Sequence, residues 1–259
     1  MTLERRHLGN HVYVLVSTTL ERAGFLAAFT ERIGGVSLSP FASLNCSLVT
    51  DDEAENGRQN WVRVVEALRI PPFATGYQVH GARVARLGLR RKGAGYSSPG
   101  TRIPGTDGLL TKMSRVPLAV LAADCLPIVL ASPQEGTIAA VHAGWRGLAA
   151  GILPRAVGAF QDPADVRAVI GPGIGPDHYR VGEEVARAVA AASGAGAVTT
   201  RGRSSLHLDL AASARVALAA LGVRRVEVAE VCTACEPERF FSHRRDGPTG
   251  RQLGLAMRL

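Results

Sequence analysis

The sequence predicts a layered α/β fold, on three observations. Two short runs, Leu118 to Ala123 and Thr137 to His142, are almost wholly apolar and read as buried strands. Residues 53–68 carry Trp61, Val64, Val65 and Leu68 at helical spacing, and 211–221 reads as a second helix. Strands and helices then mix without a strict βαβ rhythm, which argues against a doubly wound sheet.

In order, Val12 to Val16 and Phe25 to Thr30 read as strands, the second running into the turn-rich Ile33-Gly34-Gly35. The helix over 53–68 is stopped by Pro71 and Pro72. The strands at 118–123 and 137–142 are expected to be joined through Pro127 to Ala131 and the turn Ser132-Pro133. Trp145 to Phe160 is expected to be one helix despite Pro154. Val166 to Ile170 reads as a strand entering the glycine turn Gly171 to Gly175, and Gly182 to Ala192 as an alanine-rich helix. Leu206 to Leu210 alternates as a strand, and Gly222 ends the helix over 211–221. Val226 to Val231 is a strand, and Gln252 to Leu259 alternates like a final one. Two Gly-, Ser- and Pro-rich stretches, Gly93 to Gly105 and Ser193 to Ser205, read as surface loops, and neither separates one complete core from another. Residues 1–259 are therefore read as one domain.

Composition excludes several classes. With 46% apolar and 20% charged residues the chain is neither disordered nor collagen-like, and four cysteines in 259 residues are too few for a disulfide scaffold. The 30 basic residues exceed the 22 acidic ones for a net charge of +8, but they are scattered in short groups such as Arg90 to Lys92. With only 5% aromatic residues the chain is poor in rings for stacking bases, so the excess reads as a solubilising surface with a small anionic substrate, not as a nucleic-acid interface. The longest apolar run, Val116 to Ala131, is interrupted by Pro117, Asp124 and Pro127 and is too short to span a membrane. No secretory signal is visible, so a cytoplasmic location is expected.

Three metal-type side chains stand out: His80 in Gln78-Val79-His80-Gly81, Cys125 after Asp124, and His142 in His142-Ala143-Gly144-Trp145-Arg146-Gly147. Two imidazoles and one thiolate with an open fourth position make the donor set of a catalytic zinc, and copper would also accept it. No short ligand pair anchors the set, so buried core residues and a Cys/His nucleophile pair stand beside the metal reading. Cys232-Thr233-Ala234-Cys235 has the spacing of a redox or zinc motif, yet Pro237 follows closely and no second such pair exists, so a structural role is the simpler reading. Gly171-Pro172-Gly173-Ile174-Gly175 is not a dinucleotide fingerprint, because Pro176 stands where the third glycine belongs. Near the C-terminal end Arg244, Arg245 and Arg251 could clamp a phosphate, or pair with Asp246.

Taken together these words resemble the laccase-domain family, also described as polyphenol oxidase or multicopper oxidase type and as purine nucleoside phosphorylases. The match runs in order through Thr30 to Ser37, Ser43 to Asn45, Gln78 to Gly81, Ala123 to Pro127, His142 to Gly147, Gly171 to Gly175 with Tyr179, Cys232 with Thr233, and Phe241 to Arg245. The resemblance implies a four-layer α/β/β/α sandwich with mixed sheets, and one zinc held by His80, Cys125 and His142 as catalytic site. It implies phosphorolysis of adenosine, inosine, guanosine and methylthioadenosine with inorganic phosphate as co-substrate, and hydrolytic deamination of adenosine. On that reading Arg146, Arg245 and Arg32 are the candidates for holding phosphate, and Asn45 for bonding sugar or base; Asp124 is expected to support the site from behind Cys125. The partners are a nucleoside and phosphate, with no nucleic acid and no membrane, in a monomer or a dimer. Gly88 to Gly105 is longer and more basic than the usual connection and is expected to reshape one rim of the pocket. The oxidase label fails on its own chemistry: seven histidines and no His-x-His pair cannot build a multicopper cluster. Two other functions stay open, a metal-free hydrolase using Cys125 and His142, and a non-enzymatic binding protein connected with the cell wall.

Overall fold

A computed structural model describes residues 3–96, 98–193, 198–201 and 205–259. In chain order its strands are β1 (Glu4–His7), β2 (Tyr13–Val16), β3 (Phe25–Thr30), β4 (Ala74–Thr75), β5 (Val84–Arg86), β6 (Gly108–Thr111), β7 (Leu118–Ala122), β8 (Leu126–Ser132), β9 (Thr137–Ala143), β10 (Arg167–Ile170), β11 (Arg180–Val181), β12 (Val198–Arg201), β13 (Ser205–Leu208), β14 (Arg225–Val228) and β15 (Gln252–Arg258). The helices are α1 (Thr18–Arg22), α2 (Ala54–Leu68), α3 (Trp145–Ala149), α4 (Ile152–Val157), α5 (Glu183–Ser193), α6 (Leu210–Ala220) and α7 (His243–Asp246). One mixed sheet has the order β1-β2-β3-β15-β7-β4 and the other β14-β10-β8-β9-β6-β5; β11-β13-β12 form a small third sheet.

Strand alternation builds three apolar layers from these two sheets. In the first sheet Phe25, Ala27, Phe29, Leu118, Val120 and Ala256 face the second sheet, where Val129, Ala131, Ile138 and Ala140 meet them. The alternate residues Ala28, Ala119, Leu253, Leu255 and Met257 face outward and are covered by Trp61 and Val64 of α2. On the far side of the second sheet Ile128, Leu130, Ala139 and Val141 pack under α3, α4 and α6. The result is the α/β/β/α order of layers that the family resemblance implies, and it also shows why β7 and β9 read as unbroken apolar runs: both of their faces are covered. Phe29 is wedged between the sheets. A Cβ on Gly171 would lie 2.3 Å from its ring, and one on Gly254 would lie 3.4 Å from it and 2.5 Å from Pro127, so both positions must lack a side chain. Emptying a ring-sized site of this kind costs about 3–5 kcal/mol.

The structure corrects the expected elements at four places. Pro127 to Ala131 is no connector; it belongs to the seven-residue strand β8, between β10 and β9. The proline is accommodated because its carbonyl accepts the Gly171 N–H at 2.8 Å just past the end of β10, so the missing donor costs no bond within β8–β9. The expected helix over 145–160 is two helices, α3 and α4, broken at Gly151, which takes a left-handed φ of +81°. Pro154 then lies in the first turn of α4, where its missing N–H has no intrahelical role. The stretch 193–205, expected as a loop, contributes β12, and the rest of it lies partly outside the described residues. Finally, β15 alternates in sequence but is buried from Gln252 to Met257, because it is a central strand between β3 and β7.

Candidate active site

The three metal-type side chains converge from three separate segments. His142 lies near the end of β9, Cys125 in the turn between β7 and β8, and His80 in the segment after β4. Their donor atoms lie within 4.8 Å of one another. Gly144 makes this possible: a Cβ there would stand 2.7 Å from Cys125 Sγ and 3.4 Å from His80 Cδ2.

The His80 segment is held by two side chains. Gln78 copies a strand partner, donating from Nε2 to the Leu121 carbonyl and accepting from the Leu121 N–H on Oε1, each at 2.8 Å. Asp107, fully buried just before β6, accepts three consecutive N–H groups, from Val79 at 3.0 Å, His80 at 2.9 Å and Gly81 at 2.9 Å. These bonds hold His80 in the left-handed conformation it adopts at φ +58°. The same carboxylate meets His142 Nδ1 at 2.9 Å, leaving Nε2 as the nitrogen free to face Cys125 and an ion. Asp107 thus orients both histidines, in the manner of the carboxylates that stand behind metal-bound imidazoles. No sequence signal pointed to it, because its partners are backbone amides of a distant segment.

Electrostatics bind the cluster together. Burial pushes the Asp107 carboxyl up, but the bonds from His142 and from the Val79 and Gly81 amides hold it below its ordinary value. Burial opposes ionisation of the Cys125 thiol, and the His142 and His80 imidazoles more than offset it, so the thiol is pulled down. Burial likewise opposes a charge on His142, and Cys125 with Asp107 pull it up. A deprotonated thiolate beside oriented imidazoles is what a soft or borderline divalent ion requires, so the residues present fit the zinc that the family resemblance implies.

The cluster opens into a cavity of about 540 Å³, within the range of small-molecule sites. Trp145, Tyr179 and Tyr77 offer aromatic surface, and Arg102, Arg146, Arg244 and Arg251 line the same space. Burial pushes the Tyr179 hydroxyl up to about 12, so it stays a neutral phenol. Arg146 stacks on Trp145 at 4.4 Å and donates to no acceptor among the described residues. Arg251 donates from Nη1 to the Thr249 and Gly250 carbonyls and has no carboxylate partner among them; burial lowers its pKa. Arg102 brings the basic 88–105 segment to the rim, lying 5.3 Å from the Tyr77 ring.

Of the four sequence candidates for substrate contact, the structure brings Arg146 into the cavity wall and leaves Arg32, Asn45 and Arg245 outside it. Arg32 donates to the Ala42 and Pro237 carbonyls and stacks on Phe241. Arg245 donates to Asp246 and to the carbonyls of Thr233, Ala234 and Phe240. Asn45 accepts the Ser47 and Arg251 N–H groups and donates to Thr50 and Asp52. Their hydrogen-bonding groups are occupied in holding loops, and the loop that Asn45 fixes carries Arg251. Asp124, at φ +83° beside Cys125, accepts the Thr233 hydroxyl at 2.6 Å and the Arg244 N–H at 2.7 Å, so it ties the cysteine turn to the C-terminal segment. Within Gly171–Gly175, the Gly171 N–H bonds the Pro127 carbonyl, the Ile174 N–H the Asp124 carbonyl and the Gly175 N–H the Cys232 sulfur.

A four-layer sandwich with a His-Cys-His cluster under an arginine-lined cavity defines a class of metal-competent α/β proteins. The chain belongs to the family described as multi-copper polyphenol oxidoreductase laccase, whose profile matches residues 26–259. It is 38% identical to the purine nucleoside phosphorylase YlmD of Geobacillus stearothermophilus over 90% of each chain, and 39% identical to a purine nucleoside phosphorylase of Xylella fastidiosa, covering 94% of this chain and 96% of that one. The crystal structure of Geobacillus stearothermophilus YlmD matches with a TM-score of 0.93 at 35% identity, over 99% of this chain and 98% of that one. Bacillus licheniformis YfiH matches with a TM-score of 0.90 at 32% identity, over 94% and 96%. Among the described residues no helix is long and apolar enough to cross a membrane.

Proposed function

We propose that the chain is a purine nucleoside phosphorylase carrying zinc in the His80–Cys125–His142 cluster. It acts on adenosine, inosine, guanosine and methylthioadenosine with inorganic phosphate, deaminates adenosine as a second reaction, and works in the cytoplasm. The observation that carries this reading is the shared space: metal-type donors, aromatic faces and arginines without carboxylate partners line one cavity.

Phosphorolysis joins a phosphate oxygen to the sugar C1′ and releases the purine, so it needs a seat for a dianion, a surface for the base, and protection from water. Arg146 and Arg251 supply the anion seat, with Arg244 beside them; a guanidinium lacking a carboxylate partner gains most from a phosphate. The faces of Trp145 and Tyr179 suit a planar base. Asp107 keeps the histidines in register and Asp124 fixes Cys125, so neither needs to touch substrate. Zinc held by His80, Cys125 and His142 would supply Lewis-acid polarisation and a water ionised near neutral pH.

The closeness of the Cys125 thiol to the His142 imidazole, which pulls the thiol below its ordinary value, favours a metal-free cysteine hydrolase as a second reading. One experiment separates the two. Purified protein is given each nucleoside with and without phosphate, products are resolved, and bound metal is measured on the same sample. Phosphate-dependent release of free base by zinc-bearing protein, lost together with the zinc in Cys125→Ala, is the expected result. Full phosphorolysis by Cys125→Ala, or base release independent of phosphate and metal, overturns the proposal.

A further inference from the structure

A second set of metal-type donors lies apart from the first. His178 stands on the turn before β11, and Cys232 and Cys235 bracket a turn closed by the Cys235 N–H to Cys232 carbonyl bond at 3.0 Å. His178 Nδ1 is 3.4 Å from Cys235 Sγ and 3.8 Å from Cys232 Sγ, and all three donor atoms lie within 4.8 Å of one another. An ion bound tetrahedrally by one nitrogen and one sulfur sets those donors about 3.5 Å apart. The two observed separations bracket that spacing. The Gly175 N–H donates to Cys232 Sγ at 3.1 Å, and a Cβ on Gly175 would stand 3.1 Å from Cys232 Cβ. A cavity of about 290 Å³ opens beside the two cysteines and gives access from solvent.

We infer that His178, Cys232 and Cys235 form a second metal site, for zinc, with the fourth position taken by water. Binding releases the two thiol protons to solvent and involves no change of oxidation state. The imidazole supplies the donor that the cysteine pair lacks in sequence, and two thiolates with one imidazole suit zinc over harder cations.

The ion clamps two turns, one that leads into the wall of the larger cavity and one that is bonded to it. Tyr179 follows His178 directly and lines the cavity. Thr233, between the cysteines, donates to Asp124 at 2.6 Å beside Cys125. The second ion is therefore a structural one, holding cavity-wall residues in place without meeting substrate.

The test is metal stoichiometry, which does not depend on turnover. Chains produced with zinc under reducing conditions are analysed as wild type, Cys235→Ser, His178→Ala and Cys125→Ala, with alkylation of Cys235 followed by mass spectrometry. The expected result is two zinc ions per wild-type chain, one in each variant, and at least a tenfold slower alkylation of Cys235 when zinc is present. One zinc per wild-type chain that Cys235→Ser and His178→Ala retain overturns the inference, as does recovery of Cys232 and Cys235 as a disulfide. A single zinc lost in Cys235→Ser but kept in Cys125→Ala would support this site and overturn the first, so the two readings fail separately.

Discussion

Replacing Asp107 by Asn changes one oxygen to an amide nitrogen at the point where four donors meet. Oδ1 accepts from the His80 N–H and faces His142 Nδ1, and Oδ2 accepts from the Val79 and Gly81 N–H groups. If the amide nitrogen takes the Oδ2 side, two backbone donors lose their acceptor. If it takes the Oδ1 side, it opposes the His80 N–H and forces His142 to accept at Nδ1, which puts a proton on Nε2 where a metal must bind. A buried donor left without a partner costs about 1–3 kcal/mol, so the first arrangement costs about 2–6 kcal/mol. The first route loosens the segment that carries His80, the second misdirects His142 as well, and loss of such a carboxylate lowers metal affinity about 10–100-fold. Competition of the variant against a zinc chelator, with circular dichroism to verify the fold, measures this directly. A folded Asp107→Asn protein that keeps wild-type zinc affinity would refute the reasoning.

Other outcomes follow from the same geometry. Gly144→Ala drives a methyl group against Cys125 Sγ and should abolish zinc binding while the far-UV circular dichroism spectrum stays unchanged; retained zinc contradicts it. Arg146→Ala should raise KM for phosphate at least tenfold with a smaller change for the nucleoside, since Arg146 makes no internal hydrogen bond among the described residues; equal phosphate KM values would remove it from the anion seat. Glu31 is fully buried, and burial pushes its carboxyl up, but the guanidinium groups of Arg5 and Arg239 outweigh burial and hold it below its ordinary value. Its contribution to stability is therefore present above the ordinary carboxylate pKa and is lost as pH falls through the depressed folded value. Melting temperature of the wild type should fall along that acid limb, and Glu31→Gln should be less stable at neutral pH with a flatter limb; parallel curves would contradict the assignment.

The residues that were legible in sequence are those whose role is local. His80 and His142 could be found because each stands in a glycine-bearing word, Cys125 because it follows an apolar run, and β7 and β9 because burial on both faces leaves them almost no polar residue. Asp107 was not legible, since a carboxylate that collects backbone N–H groups leaves no trace in the sequence of the loop it holds. The arginines illustrate the same limit. Arg244, Arg245 and Arg251 are alike in sequence, but Arg245 is turned inward to the Thr233 and Phe240 carbonyls while Arg251 faces the cavity. Only the path of the 240–251 segment decides between them. The expected helix over 145–160 is likewise divided at Gly151 by its left-handed backbone, which nothing in the local sequence marks.

The place of β15 bears on how the protein is made. Its residues pair with β3 on one side and β7 on the other, in register from Gly254↔Phe29 and Gln252↔Ala122. During synthesis both neighbours leave the ribosome long before it, so two apolar strands wait with open edges until β15 arrives. Such distant pairings close slowly. Arg244 and Arg251 of the cavity wall lie just before β15 in the chain, so closing the sheet also anchors the segment that carries them. A nascent chain cut short before β15 would leave the facing edges of β3 and β7 unpaired and present them to chaperones and proteases.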